Sequence, residues 1–214
     1  MKYGESIFDV FYLIFAICMG IAILVRHKSR TGQLIGWAVL ILGCGDAFHL
    51  VPRVLNYFIE RDFSAWLGVG KLVTSISMTV FYLLIYRVWV RLFGPEKKAL
   101  SIVFYVLVGA RVILCLLPQN RWLENEGSVL WGIIRNIPFV AIGVIVICLY
   151  FSTHKQIRGL RRVWILVLLS FLFYIPVAVA ASLVPMLGML MLPKTICYIW
   201  LIWDFWRFLK SGDR

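Results

Sequence analysis

The sequence predicts an all-α bundle of seven membrane helices, with the N-terminus outside and the C-terminus in the cytoplasm. Three observations carry this. First, 62% of the 214 residues are hydrophobic and 15% are charged, against about 45–50% and about 25% in soluble domains. Second, the apolar residues come in seven runs, at roughly 7–25, 33–55, 66–88, 99–117, 129–151, 163–184 and 187–208. Each is near the ~20 residues that a bilayer demands. Third, the loops alternate between basic and neutral, as cytoplasmic and external loops do. The length suits one compact transmembrane domain, 1–214, in a plasma or bacterial inner membrane. The net charge of +12 sits in short loops, where it reads as topology and anionic-lipid contact. A nucleic-acid surface would need a basic aromatic module, and none is present.

The elements follow in order. The start is acidic on balance, with Lys2 against Glu5 and Asp9, and the first run ends in Arg26-His27-Lys28-Ser29-Arg30. Positive charge after the run, with no small-residue cleavage site, predicts a retained span rather than a cleaved signal. The second run closes in Gly43-Cys44-Gly45-Asp46-Ala47-Phe48-His49-Leu50-Val51-Pro52-Arg53, and the loop behind it, Glu60-Arg61-Asp62, nearly cancels. The third carries Lys71, Thr74 and Ser75, then Arg87, Arg91, Lys97 and Lys98 against Glu96. The fourth carries Arg111, followed by Arg121 and Trp122 with Glu124 and Glu126. The fifth opens with Arg135 and leads to Lys155, Arg158, Arg161 and Arg162. The sixth has no charge. The seventh has Lys194 after Pro193, then Trp200, Trp203 and Trp206 before Arg207, Lys210 and Arg214. Tryptophans beside a basic end suit an interfacial belt, and Trp122 suits the outer loop. Pro193 is expected to weaken the last helix and free a carbonyl. The five cysteines lie within apolar runs and form no CxxC pair, so they read as small core residues.

A faint internal repeat is visible. His27-Lys28 matches His154-Lys155, Leu50-Val51-Pro52 matches Leu183-Val184-Pro185, and Lys71 matches Lys194 in depth. This suggests a 3+1+3 plan with the fourth span as inverter.

Ionisable residues inside a span are costly and mark a functional site by default. Asp46 and His49 are three residues apart and His49 and Arg53 four apart, so all three share one helical face. In the expected topology Asp46, His49, Arg53, Lys71, Arg111, Arg135 and Lys194 all lie toward the outer side. Cations outnumber anions there, which suits an anionic small molecule or lipid headgroup. Snorkelling accounts for a lysine or arginine near a helix end, but a carboxylate reaches less far, so Asp46 requires a partner. The leading expectation is a membrane binding or transport protein with an outward basic pocket between spans two, three and seven. Asp46 and His49 would form a hydrogen-bonded, protonatable pair, and Ser75 would lie near it.

Two other functions stay open. One is an intramembrane lipid hydrolase with Asp46 and His49 as acid and base, opposite a hydroxyl such as that of Ser75. The other is a seven-helix receptor or sensor. His49 is the only histidine inside a span, so a three-histidine zinc site is excluded and neither metal nor cofactor is expected. A last-helix lysine among seven spans also suits retinal proteins, but Lys194 sits shallow and no such signature surrounds it.

The segment GWAVLILGCGDAFHL, Gly36 to Leu50, resembles the Gly-Asp span of the YhhN/TMEM86 family of small membrane proteins, some of which hydrolyse lysoplasmalogens. The stretch Leu67 to Tyr86 is loosely similar to that family's next glycine-led span. The resemblance implies a catalytic role for Asp46. It departs from the family in having Ser or Thr in place of a histidine, no second acidic motif, and seven runs where the family is read with eight.

Overall fold

The computed structural model describes residues 2–59, 62–94, 97–124, 128–180 and 184–212. The chain is all-α, with α1 (Lys2–Arg26), α2 (Arg30–Phe58), α3 (Ser64–Phe93), α4 (Lys98–Leu116), α5 (Val129–Thr153), α6 (Val163–Ala180) and α7 (Met191–Gly212). Seven helices among the described residues are long and apolar enough to cross a membrane. Their termini have local causes. Ser29 caps α2 by accepting from the Gly32 amide at 3.1 Å. Ser128 does the same for α5 from the Trp131 amide. Gly94, at φ 90°, ends α3 in a conformation that a Cβ resists.

The last two elements differ from the expectation. Helix α6 stops at Ala180, residues 181–183 lie outside the described set, and Pro185–Leu190 forms a 3₁₀ segment before α7. Pro193 consequently falls in the first turn of α7, where its missing N–H is one that would have no helical partner. It frees no mid-helix carbonyl, contrary to the reading of the sequence.

Each helix packs on its sequence neighbours, and α7 closes back onto α1 to complete a ring. The α2–α3 seam is the most extensive. Helices α3 and α5 also touch directly, which leaves α4 outside their seam and the least buried of the seven. The interior holds Ala16, Ala38, Leu42, Phe81, Tyr82, Ile142, Val146, Val167 and Phe205. Large apolar side chains also cover the outside, including Ile7, Phe11, Ile14 and Ile21 on α1 and Ile102, Val106 and Ile113 on α4. So large an apolar exterior is what a hydrocarbon solvent rewards and water penalises. Cys115 and Cys197 are buried, whereas Cys18, Cys44 and Cys148 sit on the outer face rather than in the core.

Small residues set how close the helices come. A Cβ at Gly20 would strike the Leu40 backbone at 2.8 Å, and one at Gly43 would meet Ala16 Cβ at 3.0 Å. These contacts draw α1 onto α2 and bring the polar face of α1 against the Asp46 stretch.

Candidate functional site

One end of the ring gathers polar groups from all seven helices. On α1, Glu5, Asp9 and Tyr12 recur at helical spacing and form one face toward α2. The Tyr12 hydroxyl donates to Asp46 Oδ2 at 2.7 Å. Arg53 pairs with Glu5, and the Tyr57 hydroxyl donates to Glu5 Oε2 at 3.2 Å. Asp9 lies between these contacts, 4% exposed, and its Oδ2 finds no hydrogen-bond donor among the described groups. The charges of Arg53, Glu5 and Asp46 all act on it.

The shared face of Asp46, His49 and Arg53 is therefore divided between neighbours. Asp46 and Arg53 turn to α1, while His49 turns to α3, beside the Leu67 backbone. Asp46 hydrogen-bonds Tyr12 rather than His49, so the expected pair is not what this geometry builds. His49 Nδ1 is buried with no hydrogen-bond partner among the described groups, and the charges of Lys71, Arg53 and Lys194 reach it. Pro52 supplies no amide to the Phe48 carbonyl one turn back. A Cβ at Gly70 would collide with that carbonyl and with the His49 Cα, so only glycine admits this approach. Nearby, the Thr74 hydroxyl donates to the Gly45 carbonyl at 3.0 Å. Ser75 donates to the Lys71 carbonyl at 2.7 Å, a bond within its own helix that does not engage His49.

Lys194 enters from α7, which touches both α1 and α2. It is 8% exposed, and its ammonium stands 4.8 Å from the Tyr174 ring centroid and 5.6 Å from that of Tyr198. Two aromatic faces provide a cation–π seat. The rings are fixed in turn. Tyr174 donates to Asn136 Oδ1 at 2.8 Å, and Tyr198 shares a 3.0 Å hydrogen bond with Tyr82. The charges of Lys194 and Asp46 act on each other, which adds an electrostatic link between α7 and α2.

Arg111 and Arg135 make a second station. Arg111 is 1% exposed, donates to the Arg135 carbonyl, and holds its guanidinium 5.1 Å from the Phe139 ring centroid. Its Nε has no hydrogen-bond partner among the described groups. Arg135 donates to Asn120 Oδ1 at 2.8 Å and lies 4.3 Å over the Trp122 ring. Asn120 in turn donates to the Leu114 carbonyl at 2.7 Å and the Leu117 carbonyl at 2.9 Å, closing the end of α4. Arg135 thus organises the α4–α5 connection. Lys71 is exposed, and the Arg135 charge reaches it.

Of the five cations and three acids just placed, Arg53 and Glu5 are the two that form an ion pair. The described residues hold no cluster of three histidine, cysteine or acidic side chains suited to a metal. Reasoning from sequence overlooked Tyr12, Asn136, Tyr174 and Tyr198. The available signal was Tyr12 one turn beyond Asp9, and a single asparagine in an apolar run.

Comparison with protein families, curated proteins and solved structures finds no match.

Proposed function

We propose that this chain is a multi-pass protein of a plasma or bacterial inner membrane, N-terminus outside, that binds or transports an anionic small molecule or anionic lipid headgroup at its polar end. The observation that carries the proposal is a pair of buried cations, Lys194 and Arg111, with no ion pair among the described residues. A buried charge without a counterion is expensive, and a bound anion supplies one. Asp46 is bonded to Tyr12 and makes no ion pair with Lys194, but its charge reaches that lysine. An anion arriving at Lys194 then couples occupancy to the state of Asp46 through that charge. The basic loops at the opposite end orient the bundle by the positive-inside rule. A 3+1+3 plan finds support in α4 lying outside the α3–α5 seam, although Lys71 is exposed where Lys194 is buried. A hydrolytic role for Asp46, as the YhhN/TMEM86 resemblance implies, would need an acid–base partner, and its bonded neighbour is Tyr12.

The test is thermal unfolding of the purified chain in neutral detergent against carboxylates, phosphate and phosphatidylglycerol. At a hundredfold excess over Kd, a true ligand stabilises by about 2.7 kcal/mol. Lys194→Met and Arg111→Met should each abolish that gain while leaving the ligand-free protein folded. In liposomes, Asp46→Asn should stop substrate movement and spare binding. A panel without any stabilising anion, or a gain that survives Lys194→Met, refutes the proposal.

A further inference from the structure

The other end of the bundle carries a groove of about 650 Å³ between α2, α3 and α4. That volume falls in the range of small-molecule sites. Among the described residues its charged lining is three arginines, Arg30, Arg87 and Arg91, with no carboxylate. Arg87 and Arg91 are four residues apart on α3, which stacks their side chains on one face. Arg30 is the first residue of α2 and brings a third guanidinium from a different helix. The positive end of the α2 dipole adds to the field. All three are exposed; like charges at this spacing repel weakly, and an anion between them removes that repulsion.

The groove also has a built wall. Arg87 donates to the Tyr105 hydroxyl at 2.7 Å, a bond from α3 to α4 that fixes where its guanidinium points. Tyr86 stacks on Phe104 with ring centroids 3.9 Å apart, which holds those helices in register. Trp37 lines the groove and is half exposed on the apolar exterior. The groove therefore opens to water at its basic end and to the lipid side at Trp37.

We propose that this groove is a phosphate-binding site, separate from the polar end, that takes the phosphate of an anionic lipid or of a soluble phosphate ester. Guanidinium forks match phosphate oxygens in geometry and charge. The aromatic wall receives the glycerol or acyl portion of a lipid. Nothing in this assignment depends on the ligand of the polar end or on the orientation of the chain.

The experiment uses the full chain in neutral detergent micelles, with calorimetric titration of phosphatidic acid in mixed micelles in one arm and of glycerol 3-phosphate in the other. Saturable binding in the first arm alone identifies a lipid phosphate, and equal binding in the second identifies a soluble one. Each guanidinium–phosphate contact is worth about tenfold in Kd. Arg87→Gln with Arg91→Gln should therefore weaken binding by about a hundredfold. Tyr105→Phe leaves the net charge unchanged and removes the hydroxyl that positions Arg87, and it should weaken binding several-fold. The control Arg158→Gln with Arg161→Gln removes the same charge from exposed positions at the same end of the bundle. It should change Kd less than twofold. The proposal is overturned if the control pair weakens binding as much as the groove pair, if Tyr105→Phe has no effect, or if neither probe binds saturably.

Discussion

Replacing Tyr12 by phenylalanine isolates the contact on which the polar end is organised. The Tyr12 ring is 1% exposed, and its hydroxyl lies 2.7 Å from Asp46 Oδ2. Phenylalanine keeps the ring and its packing, so no cavity opens and the change reports the hydrogen bond alone. A bond to a charged acceptor contributes about 1.5–3 kcal/mol, and a neutral one about 0.5–1.5 kcal/mol. Asp46 is half-buried, so the lower part of the charged range applies, and Tyr12→Phe should cost about 1.5 kcal/mol. The amide of Asp46→Asn still accepts from Tyr12 but carries no charge. In that background Tyr12→Phe should cost about 0.7 kcal/mol, leaving a coupling near 1 kcal/mol. The assay is unfolding in mixed micelles of increasing denaturing detergent, followed by tryptophan fluorescence. Equal costs in the two backgrounds would refute a charge-assisted Tyr12–Asp46 bond. A wild-type cost under about 0.3 kcal/mol, well below the range for such bonds, would refute the contact itself.

Two further outcomes follow from the same geometry. Gly70→Ala drives a Cβ into the Phe48 carbonyl and the His49 Cα, backbone atoms that cannot swing aside, and should cost about 1–3 kcal/mol. Gly109→Ala on α4 meets nothing within 4 Å and should be neutral or gain up to about 1 kcal/mol; equal losses at both sites would contradict the α2–α3 packing. Before α3, the Asp62 carboxylate accepts from the Ser64 hydroxyl and from the Ser64 amide at 2.9 Å, and these bonds hold it below its ordinary value. A depressed carboxyl stabilises the fold above the unfolded-state value near ~4 and loses that contribution as pH falls through the folded value. Ser64→Ala should raise the Asp62 midpoint toward the ordinary range in an NMR titration, and an unmoved midpoint would refute the assignment.

The seven helices were legible because a bilayer imposes one length and one composition on every span, and runs such as 7–25 and 129–151 satisfy both. The end of α6 was harder to place, since an apolar run cannot show where a helix yields to the 3₁₀ turn at Pro185–Leu190. The site was legible as a set of residues and much less so as a set of partners. Helical spacing correctly puts Asp46 and Arg53 on one face, two turns apart, and both meet α1. At ~100° per residue His49 is offset by about 60° from Asp46 and about 40° from Arg53, enough for a neighbouring helix to claim it, and it faces α3. Partner choice depends on which backbones come close, and that is set by Gly20, Gly43 and Gly70, whose role is invisible until the opposing atoms are known. The same reasoning separates the cations that looked alike in sequence. Arg135 is occupied by Asn120 and Trp122 and shapes a loop. Arg53 is occupied by Glu5. Lys194 has two aromatic faces and the charge of Asp46, without an ion pair. Arg111 has a carbonyl, a ring and one unpartnered nitrogen. Those two have charge left to satisfy, and they are the groups that the proposed anion would engage at the polar end.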